Sequence, residues 1–128
     1  MLTMSRGDSL FFEAYPDNGD FDQDGVIETS YRDASRYDGY FHPGLCYRYV
    51  DSSQRCVPVA STDASDRGHY CLGPSSNAWS GNFLNWASMT RMDRERRALY
   101  GGLRVVDDQA LTVLERAHLP ADATRPPC

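Results

Sequence analysis

The chain has 128 residues, enough for one modest core and too few for a catalytic domain with a separate cofactor module. With 41% hydrophobic and 24% charged residues and only short apolar runs, it reads as a soluble globular chain, which excludes a membrane span or a disordered polymer. The formal charge is −5, and residues 1–66 carry 12 acids against 5 arginines where residues 67–128 carry 6 against 8, so nucleic acid is a poor partner and the first half favours cations.

Residues 1–5 and 10–15 are short apolar segments around a Ser-Arg-Gly-Asp-Ser turn, compatible with two strands or a strand entering a short helix. The start Met1-Leu2-Thr3-Met4 runs at once into Arg6 and Asp8, so no leader is visible, although one upstream is compatible with it. It reads as a cut strand, and the final Arg-Pro-Pro-Cys as open loop, so a fragment of a longer protein is expected.

Residues 16–30 form an acidic, glycine-punctuated loop containing Asp20-Phe21-Asp22-Gln23-Asp24-Gly25-Val26-Ile27-Glu28. Calcium takes six to eight oxygens, and alternate carboxylates on a curled loop aim at one point. The spacing predicts one Ca2+ held by side-chain oxygens of Asp20, Asp22, Asp24 and Glu28 and the carbonyl of Val26, with Gly25 making the sharp turn. The twelfth position is Tyr31 and not a bidentate glutamate, and no helices flank the loop, so an isolated calcium loop is expected and not a paired sensor.

Tyrosines at 31, 37, 40, 47 and 49, with Phe41, suit half-buried strands. Cys46–Val50, a turn over Asp51-Ser52-Ser53-Gln54, and Arg55–Ala60 read as a β-hairpin whose second strand Pro58 places at an edge. A four-residue loop sets Val50 opposite Arg55 and Tyr49 opposite Cys56, so Cys46 and Cys56 point to opposite faces. A Cys46–Cys71 bond is therefore expected, leaving Cys56 for Cys128 or a partner beyond the fragment. Disulfides imply an oxidising compartment.

Residues 61–78 look like a surface excursion. Ser80 is a good N-cap for one long helix over about 81–100, with Phe83, Trp86, Ala87, Met89, Met92 and Leu99 at helical spacing and Gly101-Gly102 as the stop. Trp79 and Trp86 read as core, and the cluster Arg91, Arg94, Arg96 and Arg97, interleaved with Asp93 and Glu95, as a solvated helix face. Leu103–Val106 suits a short strand, and the stretch from Asp107 or Asp108 to Ala117 a short helix or a strand over Thr112-Val113-Leu114. His42, His69 and His118 are far apart and read as surface or turn residues. No phosphate loop, G-x-S-x-G or H-E-x-x-H occurs.

The run Trp79-Ser80-Gly81-Asn82-Phe83-Leu84-Asn85-Trp86-Ala87-Ser88-Met89-Thr90-Arg91-Met92-Asp93, then Leu99-Tyr100-Gly101-Gly102, resembles the PilC/PilY family of type IV pilus tip and biogenesis proteins. Met1–Arg6, the loop at 20–28, Tyr37–Phe41 before Cys46-Tyr47, and Thr112–Ala117 before Pro120 agree in order. The resemblance implies the N-terminal, von Willebrand factor A-like part of a protein exported through the periplasm to the bacterial surface, serving pilus assembly, twitching motility and attachment. Its partners would be pilins, minor pilins and host-surface receptors. The metal-dependent adhesion motif D-x-S-x-S is absent, since Asp33-Ala34-Ser35-Arg36-Tyr37 and Asp63-Ala64-Ser65-Asp66-Arg67 fail at the last serine.

The expected whole is a non-catalytic α+β unit, a single domain or part of a larger one. It comprises a calcium-loop and hairpin insertion over 16–78, a main helix region over 79–102 that packs on a sheet, and a C-terminal segment over 103–128. The rival is an accessory or carbohydrate-binding module of an extracellular enzyme, using exposed tyrosines of 31–49 for stacking. A weaker third reading is a hydrolase using Asp22 or Asp24 with a metal-activated water, which calcium serves poorly.

Overall fold

The computed structural model describes residues 10, 12–15, 19–20, 23–27, 30–62, 68–72 and 77–117. Strands β1 (Leu45–Val50), β2 (Arg55–Ser61) and β3 (Trp79–Ser80) precede helices α1 (Gly81–Ser88) and α2 (Arg91–Tyr100), and strands β4 (Arg104–Asp107) and β5 (Thr112–Leu114) follow. The order β2-β1-β3 makes one antiparallel sheet and β4-β5 a second.

The first hairpin has the expected register, Val50 opposite Arg55 and Tyr49 opposite Cys56. Its turn is closed by Ser53 N–H to the Val50 carbonyl at 3.2 Å and Gln54 N–H to the Asp51 carbonyl at 3.3 Å, with Gln54 at φ 49°. The register then slips: Tyr47 faces Pro58 and Cys46 faces Ala60, which leaves Val59 as the extra residue of a bulge. Pro58, which has no N–H to give, sits on edge strand β2 as its chemistry demands. Cys46 is fully buried and bonds Cys71, with Cα atoms 5.9 Å apart. Cys56 is also disulfide-bonded; Cys128 lies outside the described residues.

Three expectations need correction. The region from Tyr31 to Tyr49 is strand only from Leu45 onward; residues 31–44 are turns and coil. Side chains take the place of a strand neighbour: amides from α1 bond the backbone of Ser35, Tyr37 and Phe41, and tyrosine hydroxyls accept the N–H groups of Arg32, Asp38 and His42.

The single long helix is two. Ser80 caps α1 as expected, its side chain accepting from Phe83 N–H, but Met89 and Thr90 are extended and Thr90 starts α2 afresh. Thr90 Oγ1 accepts from Asp93 N–H at 3.1 Å while Asp93 Oδ2 accepts from Thr90 N–H at 3.2 Å, a complete capping box. The break frees backbone groups that residues 12–14 then use. Ala14 N–H donates to the Met89 carbonyl at 2.9 Å, Arg91 N–H donates to the Phe12 carbonyl at 3.1 Å, and Glu13 bridges Thr90. Left-handed Gly101 closes α2.

Trp86 is half-buried as core, but Trp79 is 45% exposed. Of the two readings of the last segment, the strand is the one formed: Asp108 and Leu111 exchange backbone hydrogen bonds at 2.9 and 3.3 Å to close the β4–β5 turn. The core joins Ala14, Tyr15, Tyr37 and Met89, with Tyr31, Tyr40, Phe41 and Trp86 packed around them. No helix among the described residues is long and apolar enough to cross a membrane.

Candidate functional site

Two constructions organise the polar chemistry. The first is a clamp on α1. Asn82 and Asn85, three residues apart and fully buried, share a helix face with buried Leu84 alongside it. Asn82 Oδ1 accepts from Tyr37 N–H at 2.8 Å, and its Nδ2 donates to the Ser35 carbonyl at 2.8 Å and the Tyr31 hydroxyl at 3.2 Å. Asn85 Oδ1 accepts from Phe41 N–H at 3.0 Å, and its Nδ2 donates to the carbonyls of Tyr37 and Phe41, both at 2.8 Å. A buried asparagine is tolerated only when its donors and acceptor are matched in this way. Gly39 completes the fit, because a Cβ there would overlap Asn85 Oδ1 and the Met89 side chain.

Aromatic rings line the clamp. Tyr15 meets Tyr37 edge-on at 4.9 Å, and Tyr31 contacts Tyr37, Phe83 and Trp86 at 5.6, 5.3 and 5.6 Å. Burial pushes the Tyr31 phenol up to about 12, and it raises Tyr15 and Tyr40 in the same direction. The hydroxyls face inward: Tyr31 donates to Asp33 Oδ1 at 3.0 Å, while those of Tyr37, Tyr40 and Tyr47 accept backbone N–H groups of Arg32, Leu103 and His42. Tyr37 is only 3% exposed. Tyr37 is thus a structural pin withdrawn from any stacking surface, whereas Tyr31, Tyr40, Tyr47 and Tyr49 are half-buried.

The second construction is the acidic loop. Asp20 Oδ1 accepts from Asp24 N–H at 3.1 Å and Oδ2 from Gly25 N–H at 2.9 Å, while Asp24 Oδ1 accepts from Val26 N–H at 2.8 Å. Gln23 at φ 62° and Gly25 at φ 86° curl the chain around the Asp20 carboxylate. Asp20, Asp24 and Val26 are exposed. Asp22 and Glu28, the other two expected ligands, lie outside the described residues, and among the described residues no three His, Cys, Asp or Glu side chains converge as a metal site.

Of the described histidines, His42 is exposed and His69 half-buried, both in coil. His42 Nδ1 accepts from Gly44 N–H at 3.1 Å, and His69 Nδ1 lies 2.7 Å from the Asp33 carbonyl. His118 is outside the described residues.

Sequence reasoning passes over Asn82, Asn85 and Asp93 as functional positions. Two signals point to them. One is a pair of asparagines one turn apart inside a helix, where asparagine is disfavoured unless it bonds something. The other is the T-x-x-D pattern from Thr90 to Asp93, which marks a helix start in mid-run.

Residues 28–126 match the family model described as "PilY1 homolog, small alpha/beta domain". Two proteins of Xylella fastidiosa (strain Temecula1 / ATCC 700964), each named type IV pilus biogenesis factor PilY1 homolog, are 40% identical to this chain. One aligns over 124 residues, 96% of the chain, and the other over 95 residues, 71% of it. The chain spans 8% of the length of each. No solved structure matches it. A capped helix that clamps a tyrosine-rich loop, under a family match that covers most of the chain, is a small α/β unit of the PilY1 homolog family, to which this chain belongs.

Proposed function

We propose that this chain is a non-catalytic scaffold unit of a type IV pilus biogenesis factor, exported to the bacterial surface and serving pilus assembly, twitching motility and attachment. The observation that carries the reading is the 40% identity held over 96% of the chain to a protein named a type IV pilus biogenesis factor. The Cys46–Cys71 staple supports export, because such bonds persist in oxidising compartments. Pilins or minor pilins, and receptors on a host surface, are the partners in this reading. The von Willebrand A-like character of the larger protein belongs to it as well.

Calcium binding by the 20–28 loop is part of the same proposal, with Asp20, Asp22, Asp24 and Glu28 supplying carboxylates and Val26 its carbonyl. The inward curl of the loop about Asp20 and the positive φ of Gly25 support it. A ligand that binds only the folded loop stabilises it by mass action.

The test is genetic. Deleting the parent gene should reduce surface pili and twitching, and complementation with Asp20→Ala plus Asp22→Ala should restore less than wild type. Normal piliation, motility and attachment in the deletion strain, with no second homologue present, would refute the pilus role.

A further inference from the structure

We infer that the exposed face of α2 docks an acidic segment of a partner protein through Arg91, Arg94 and Arg97. On a helix of 3.6 residues per turn these three fall within about 120° of the surface. All are exposed. None is in an ion pair among the described residues, in contrast to Arg36, 3.2 Å from Asp38, and Arg104, 2.8 Å from Asp107.

The one acid in the first turn of α2 does not serve them. Asp93 is fully buried and spends its oxygens on Thr90 and on Ala117 N–H. The result is a basic stripe on a chain of net charge −5. Arg94 is already placed, its guanidinium 4.9 Å above the Tyr15 ring. A stacked guanidinium keeps its edge free for bidentate contact with a carboxylate, and less side-chain freedom is lost when that contact forms.

The neighbouring residues favour a protein over other anions. Exposed Glu95, one turn on from Arg91, borders the stripe, and the acidic balance of the chain adds to the repulsion of a uniform polyanion such as nucleic acid, sulfated glycan or anionic bilayer. A folded partner with mixed charges meets Glu95 with a donor. Leu99 and Tyr100, 49% and 52% exposed at the end of the same helix, add the apolar and aromatic surface typical of protein interfaces.

The probe is a fluorescein-labelled helical peptide carrying glutamates at i, i+4 and i+8 with one lysine, titrated into the 128-residue chain by fluorescence anisotropy. Heparin oligosaccharide and phosphatidylglycerol vesicles serve as competitors. Binding should weaken about tenfold in Arg91→Gln/Arg97→Gln, and at least that much when Arg94→Gln is added; Arg36→Gln should leave it unchanged. Melting temperatures of the variants, matched to wild type, separate lost docking from lost folding. No peptide binding, binding unchanged in the double variant, or tighter binding to heparin or vesicles than to the peptide would overturn the inference.

Discussion

The Asn85 side chain pairs with the backbone of Phe41 as a β-strand neighbour would: its Oδ1 takes the Phe41 N–H at 3.0 Å and its Nδ2 gives to the Phe41 carbonyl at 2.8 Å. One amide thus replaces a strand, and a loop of 44 residues' separation is fixed to the helix without a ladder.

Asn85→Ala should therefore destabilise the chain by about 2–4 kcal/mol, since it strands the Phe41 N–H and two carbonyls in a buried site. Urea unfolding followed by tryptophan fluorescence measures it. A loss under about 0.5 kcal/mol, the usual range for a surface substitution, would show that the clamp is not a stabilising element.

Asp93→Ala should cost more than Thr90→Ala. The aspartate closes the cap of α2 and also accepts Ala117 N–H at 2.8 Å, whereas the threonine serves the cap alone. A cap is worth about 1 kcal/mol, and the second buried bond adds about as much again. Equal losses in thermal denaturation would mean that the Ala117 bond contributes nothing.

Replacing both Cys46 and Cys71 by alanine should lower stability by about 3 kcal/mol in the chain-entropy model, because the bond closes a loop at a sequence separation of 25. The comparison is chemical denaturation of wild type and double variant under oxidising conditions. Coincident transitions would contradict it.

The pH dependence has a definite sign. Tyr31 has its phenol raised from 10.0 to about 12 by burial, so the folded state favours the neutral form. Stability from this group is complete below pH 10, the unfolded value, and is lost as pH rises from there through about 12. The transition midpoint in urea should fall across that window, and less so in Tyr31→Phe. The same fall in the variant would assign the effect elsewhere.

For the acidic loop, calorimetric titration of calcium into the chain should give binding heat that Asp22→Ala abolishes, and calcium should raise the melting temperature. Chelator without effect on either would remove the calcium proposal.

The hairpin register next to the turn, the Ser80 cap and the Gly101 stop were legible because each is a local rule of turn length or capping, set within a few residues; strand alternation then put Cys46 and Cys56 on opposite faces and so pointed to the more distant Cys71. The break at Met89-Thr90 was also written locally, in the threonine three residues before Asp93, but an apolar spacing that runs on through Met92 and Leu99 masks it.

By itself, then, the sequence determines the family, the hairpin, the staple and the places where helices can start and stop. Only the tertiary structure decides that residues 31–44 are not strand, that Asn82 and Asn85 each spend three side-chain bonds on the segment from Tyr31 to Phe41, and that segment 12–14 docks at the helix break. The physical reason is the same in each case. Backbone N–H and C=O groups must be satisfied once buried, and which distant group satisfies them depends on what folding brings within hydrogen-bond reach, a matter on which neighbouring residues carry no information.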